Sequence, residues 1–254
     1  MELKARKVLY LFGAVTAVSV LAVLVSGGID LQVQVGADVD IKQANQALGN
    51  PVMRGFNSLA GFLVFLAVMA TAGLVPGMLS KGRADYYLSK PISRSSLLAT
   101  KLAAIWIVYG AAIVVSLLLT AVVMFVVHGL VGWNIVIVAC FGLVSLFVWL
   151  TITLLAGILS GSGAVAIMSA FLVWIAQVAL TGREIVSAFL DSRLVSTVLD
   201  VLYYVLPKTS QIESVADQVV AGGQVDSWMP LWSSVLFALA MLLVIHLDLQ
   251  RKDY

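Results

Sequence analysis

This sequence predicts an all-α, polytopic membrane protein, and three observations carry the prediction. Of its 254 residues, 61% are hydrophobic and 11% charged, whereas a soluble domain carries about 25% charged residues. The mean hydropathy is +1.06, more apolar surface than a water-soluble core of this length can hide. The apolar residues also gather into runs near the ~20 residues that a helix needs to cross a bilayer. These runs are 9–27, 57–80, 102–127, 133–159, 163–181 and 228–247. The short alternating segments of a membrane barrel are missing. In lipid, backbone groups must be satisfied internally, so the runs read as six helices of one transmembrane domain, 1–254.

The first run follows Lys4, Arg6 and Lys7, the charge pattern that also opens a signal peptide. It is longer than the ~7–15 residues of a signal-peptide core, and no A-x-A-like site ends it, so it is expected to stay as an uncleaved first span. Six crossings put both termini on one side. That side holds Lys4, Arg6, Lys7, Lys81, Arg83, Lys90, Arg94, Lys101, Arg251 and Lys252 against Glu2, Asp85, Asp248 and Asp253. The other side is richer in acids than in bases. Basic residues near span ends stay in the cytoplasm, which makes both termini cytoplasmic.

The segment 81–101, between the second and third runs, is the main basic loop. Fixing the topology would account for its charge, but the segment also carries local structure. Arg83–Ser89 is expected to form a short helix with Ala84, Tyr87 and Leu88 along one face. Pro91 disfavours helical geometry at Lys90 and stops that helix, and Ser93 can cap a new one running into the third span. A surface helix, a rigid corner and a descending helix together make an element that a cytoplasmic partner can push.

Gly82, Arg83, Asp85, Leu88, the run Ser89–Arg94 (SKPISR) and Lys101, set between spans two and three, resemble the coupling region of ABC-2-type transporter permeases. The resemblance is closest to small six-span permeases related to those serving copper-enzyme maturation. It extends in outline to the basic N-terminus, the large outer segment before the last span, and the charged ending LDLQRKDY. It implies that Arg83, Asp85, Tyr86, Leu88, Pro91 and Arg94 form the site that couples to a separate ABC ATPase subunit, which would hold ATP and Mg. It further implies a second permease copy, either identical or related, in a cell membrane. In one respect the chain departs from the family: about seven residues precede the first span, so the interfacial N-terminal helix of many such permeases is expected to be short or missing.

Several chemistries find no support. The chain has no G-x-x-x-x-G-K-[ST] phosphate loop, so ATP hydrolysis would need another polypeptide, and no catalytic residue or cofactor is expected in this one. Cys140 is the single cysteine, which excludes disulfides and cysteine-rich metal sites within one chain. The net charge of +2 suggests no nucleic-acid partner. None of the six runs contains Asp, Glu, Lys or Arg, whereas ion-coupled transporters usually retain such residues despite their insertion cost. His128 and His246 are expected at opposite membrane faces, where they cannot share a metal, and the methionines are scattered. Ser160–Gly163 (SGSG) with His246 faintly resembles the serine–histidine pair of intramembrane proteases. However, Ser and Gly between two apolar runs are the ordinary makings of a hairpin turn.

Between spans five and six, segment 182–227 is too polar to span. Val186, Phe189, Leu190, Leu194, Val198, Val201 and Leu202 follow helical spacing, and Pro207 ends that stretch. Ser210–Glu213 (SQIE) matches a capping box for a second helix, with Ala221–Gly223 as its stop. Two amphipathic outer helices are expected, either covering the bundle mouth or lying on lipid. Segment 28–56 reads as an exposed, acid-leaning loop. In span two, Gly73 and Gly77 flank Pro76, which suits either a kink or close helix packing. Trp133, Trp228 and Trp232 fit an interfacial belt. The leading reading is an ABC-2 permease subunit with lipid-like or amphiphilic cargo. The alternative is a non-transporting membrane scaffold or assembly factor with the same spans.

Overall fold

The computed structural model describes residues 2–28, 41–72, 94–128, 134–181, 193–220 and 224–251. Among them there are eight helices and no strand: α1 (Glu2–Gly28), α2 (Ile41–Thr71), α3 (Arg94–His128), α4 (Asn134–Ser160), α5 (Gly163–Thr181), α6 (Arg193–Val205), α7 (Thr209–Val220) and α8 (Met229–Arg251). Helices α3, α4, α5 and α8 are long and apolar enough to cross a membrane, whereas α1 and α2 carry shorter apolar stretches at Tyr10–Leu24 and Gly55–Thr71. Large apolar side chains such as Val126, Leu172, Ile175 and Leu243 are exposed on these helices. In water such surfaces would associate; in a bilayer, lipid chains cover them.

Two expectations are corrected. Segment 28–56 is not a loop throughout, because α2 begins at Ile41. Lys42, Gln43, Ala44, Gln46, Ala47 and Leu48 in its first turns are strong helix formers, and they stand beside the weaker Asn45, Gly49, Asn50 and Pro51. Helix α7 begins at Thr209, with Lys208 O accepting from the backbone N–H groups of Gln211 and Ile212. Ser210 therefore lies inside the first turn, and the capping position belongs to Lys208.

The chain divides into two compact units. One comprises Met1–Leu66, Val108–Leu143 and Glu213–Asp226. In it α1 and α3 share a polar seam: Thr16 Oγ1 lies 2.7 Å from Ser116 Oγ, and Ser19 Oγ lies 3.0 Å from Thr120 Oγ1. Phe12 and Tyr109 extend the seam, their ring centroids 5.8 Å apart. Residue numbers rise together along both helices, so α1 and α3 run parallel. The hydroxyls of Thr16 and Thr120 also bond the carbonyl one turn back, at Phe12 and Ser116, which leaves little polarity unmatched. Gly110 permits a close pass of α4, since a methyl group there would stand 2.7 Å from Leu143 Cδ2.

The other unit comprises Ala67–Ile107, Val144–Ile212 and Ser227–Tyr254. Val148, Ile152 and Ala238 are buried at its centre, with Phe147, Trp149, Val173 and Phe237 packed around them. The turn from α4 to α5 passes through Gly161 at φ 64°, a left-handed conformation that costs side-chain-bearing residues about 1 kcal/mol or more.

Candidate functional site

Of the six coupling residues read from the sequence, Arg83, Asp85, Tyr86, Leu88 and Pro91 lie outside the described residues, as do the proposed cap Ser93 and the Gly73–Gly77 stretch. Arg94 is the first residue of α3. From there α3 runs for 35 residues, about 52 Å at 1.5 Å per residue. That exceeds the ~30 Å hydrocarbon core. Arg94 and Lys101 thus stand on the same uninterrupted rod as the apolar span Ser96–Val127. No loop interrupts the helix between Arg94 and that span.

A second polar site lies at the corner between α6 and α7. Pro207 lacks an N–H and ends the helical run after Leu206, which turns Lys208 inward. Lys208 is only 3% exposed. Its backbone N–H donates to Ser234 Oγ at 2.8 Å, and its ammonium donates to Ser233 Oγ at 3.3 Å. The ammonium also sits 4.5 Å from the ring centroid of Tyr203 and 5.8 Å from that of Tyr204. Both are within cation–π range, where desolvation strengthens the attraction. The neighbouring Thr209 hydroxyl donates to Gln177 Oε1 at 2.7 Å, and Tyr203 donates to Gln211 Oε1 at 3.1 Å. The corner thereby ties α6 and α7 to α5 and α8. Gln177 Nε2 is buried with no hydrogen-bond partner among the described residues, so the tie is not fully satisfied.

The far side of α7 uses different groups. Asn57 of α2 is buried, and its Nδ2 donates to Asp217 Oδ1. One turn along each helix, a methyl group on Gly61 would stand 2.8 Å from Glu213 Oε1. Much of the Glu213 side chain is exposed, yet its carboxylate reaches toward α2. Desolvation raises its pKa above the ordinary glutamate value, and the Asp217 carboxylate raises it further.

Neither site resembles a catalytic centre. Among the described residues there is no group of three or more His, Cys, Asp and Glu able to hold a metal. His246 is exposed, with Nε2 3.0 Å from Gln250 Nε2 one turn along α8; His128 closes α3. Ser160 of the SGSG stretch spends its hydroxyl on Ala156 O and accepts from the Ser162 backbone N–H, as hairpin turns do. Sequence reasoning missed the Lys208 corner and the Asn57–Asp217 contact. The available signal was a Tyr-Tyr pair placed four and five residues before a Pro-Lys step, together with single amides at Asn57 and Gln177 in otherwise apolar runs.

A family model described as "ABC-2 family transporter protein" matches residues 3–253. Comparison with curated proteins and with solved structures finds no match.

Proposed function

Because the chain belongs to the ABC-2 transporter family, whose membrane-spanning permease component it represents, we propose that it works by transmitting the closure of a separate ABC ATPase through segment 81–101 into α3. The ATPase would supply ATP and Mg; this chain would supply the path. A single observation carries the reading: α3 joins Arg94 to a membrane span as one unbroken helix. In this reading Arg83, Asp85, Tyr86, Leu88 and Pro91 form the surface helix and corner that receive the ATPase, and Arg94 anchors the lever. All six runs cross the cell membrane, with both termini in the cytoplasm, as the excess of Lys and Arg on that side favours. Two permease copies, identical or related, pair over two ATPases. The runs carry hydroxyls and amides but no formal charge, which suits amphiphilic or lipid-like cargo better than bare ions.

The test is affinity capture of the tagged full chain in mild detergent, wild type against Arg94→Glu. The wild type should bring down a chain bearing a G-x-x-x-x-G-K-[ST] loop together with ATP hydrolysis. The variant should insert normally and lose most of both. Equal recovery of that chain and of its activity with Arg94→Glu would refute the docking role.

A further inference from the structure

We propose that a slot among α3, α4 and α8 holds one acyl chain of an anionic membrane lipid. Its volume is about 530 Å³, inside the ~300–1,000 Å³ range of small-molecule sites. Leu98 and Trp106 of α3, Phe147 and Leu154 of α4, and Leu242 of α8 line it, with His246 as its only ionisable wall residue. From Leu98 to Trp106 the wall runs about 12 Å along the helix axis at 1.5 Å per residue, long enough to take a stretch of an extended hydrocarbon chain.

Three features choose the occupant. The walls offer almost nothing for a polar solute to bond, and water gains little in an apolar cavity. Ala99 and Ala103, one turn apart on α3, are both exposed and both line the slot. They leave a low wall through which a lipid chain can slide in from the bilayer. The slot's polar end is marked by His246 and Gln250, and it coincides with the first turns of α3 and the last of α8. Arg94, Lys101 and Arg251 stand in those turns against the single acid Asp248. The sequence of those turns is thus net basic, and anionic lipids gain from basic clusters beside a span. This inference needs only the membrane setting, and it stands or falls independently of any ATPase.

The test uses the full chain in phosphatidylcholine vesicles doped with phosphatidylglycerol carrying a diazirine on one acyl chain. The same label on phosphatidylcholine serves as the second arm. After irradiation, labelled peptides are mapped. The expected result is labelling of 98–106 and 242–246 several-fold above that of the exposed α5 face at Leu172 and Ile175, and stronger with the phosphatidylglycerol probe. Ala103→Trp, or Ala99→Phe on the same wall, should cut slot labelling several-fold and leave the α5 label unchanged, which also reports that the fold is intact. Slot labelling no higher than on α5, or insensitive to both substitutions, would mean ordinary boundary lipid and overturn the proposal. Equal labelling by both probes would overturn the headgroup assignment. A silent slot with copy-to-copy cross-links at Ala103 would give the site to a second copy of the chain instead.

Discussion

The two ends of α7 are fastened by opposite kinds of chemistry. At its first turn, hydroxyls, a backbone N–H, a side-chain amide and a cation over two tyrosine rings tie Lys208 and Thr209 to α5 and α8. Four residues later, carboxylates face α2: Asp217 accepts from Asn57, and Glu213 approaches Gly61. The first anchorage is built from one cation, hydroxyls, amides and aromatic rings, with no carboxylate among the partners named. The second has two acids one turn apart, one of them with a raised pKa. The contrast teaches that one short amphipathic helix can be pinned firmly at one end and conditionally at the other.

The largest effect that would break the comparison is Ser234→Ala. Ser234 is fully buried, and its loss leaves the Lys208 backbone N–H without that acceptor, at a cost of about 1–3 kcal/mol. Thermal unfolding in detergent should shift down, and by the same amount at every pH between neutral and mildly acidic. Ser233→Ala should cost less, about 0.5–1.5 kcal/mol, because the ammonium keeps its aromatic partners.

The carboxylate end should respond to pH instead. A carboxyl whose pKa is raised by folding binds its proton more tightly when folded. Its favourable contribution is therefore present below the ordinary glutamate value and is lost as pH rises through the raised one. Protection from hydrogen exchange, taken relative to the intrinsic amide rate at each pH, should rise over 213–220 as pH falls from neutrality into that window, while protection over 203–209 stays flat. Glu213→Gln should abolish the difference and hold the higher protection at neutral pH. If both ends respond alike in the wild type, the distinction between them is false.

Gly61→Ala should have the smallest effect. The added methyl would meet Glu213 Oε1 at 2.8 Å, but that oxygen ends a flexible, partly exposed side chain and can swing away. Alanine is also worth about 1 kcal/mol over glycine inside a helix. Unfolding should be unchanged or slightly later, and a clear loss of stability would show that Glu213 is held rigidly.

Much of the fold was readable because lipid imposes one rule on every span. Long apolar runs must be helices: 102–127 and 163–181 fall within α3 and α5, and 228–247 lies within α8 apart from its first residue. The start of α2 was hidden, since Ile41 to Asn50 is too polar to register as part of a span although its residues favour helix. The start of α7 was misread by two residues because Ser210 and Glu213 fit a capping pattern, whereas Lys208 precedes the helix and gives its N–H to Ser234, 26 residues downstream. Lys208 looked like one more charge on a polar segment. Its burial is set by Tyr203, Tyr204 and Ser233, whose proximity no local pattern reveals. The apolar slot left no trace either, because its walls are ordinary span residues until three helices bring them together. The coupling residues, by contrast, were named from the sequence through a family likeness, and of these the structure describes only where Arg94 begins α3.

The central claim is that segment 81–101 meets a cytoplasmic ATPase. The most direct measurement places a cysteine at Leu88 in a Cys140→Ser background and asks what it touches in intact membranes. The account predicts a cross-link to a chain bearing a nucleotide-binding loop, with the cysteine shielded from membrane-impermeant thiol reagents added outside. Ready modification from the outside, with no such cross-link, would contradict it.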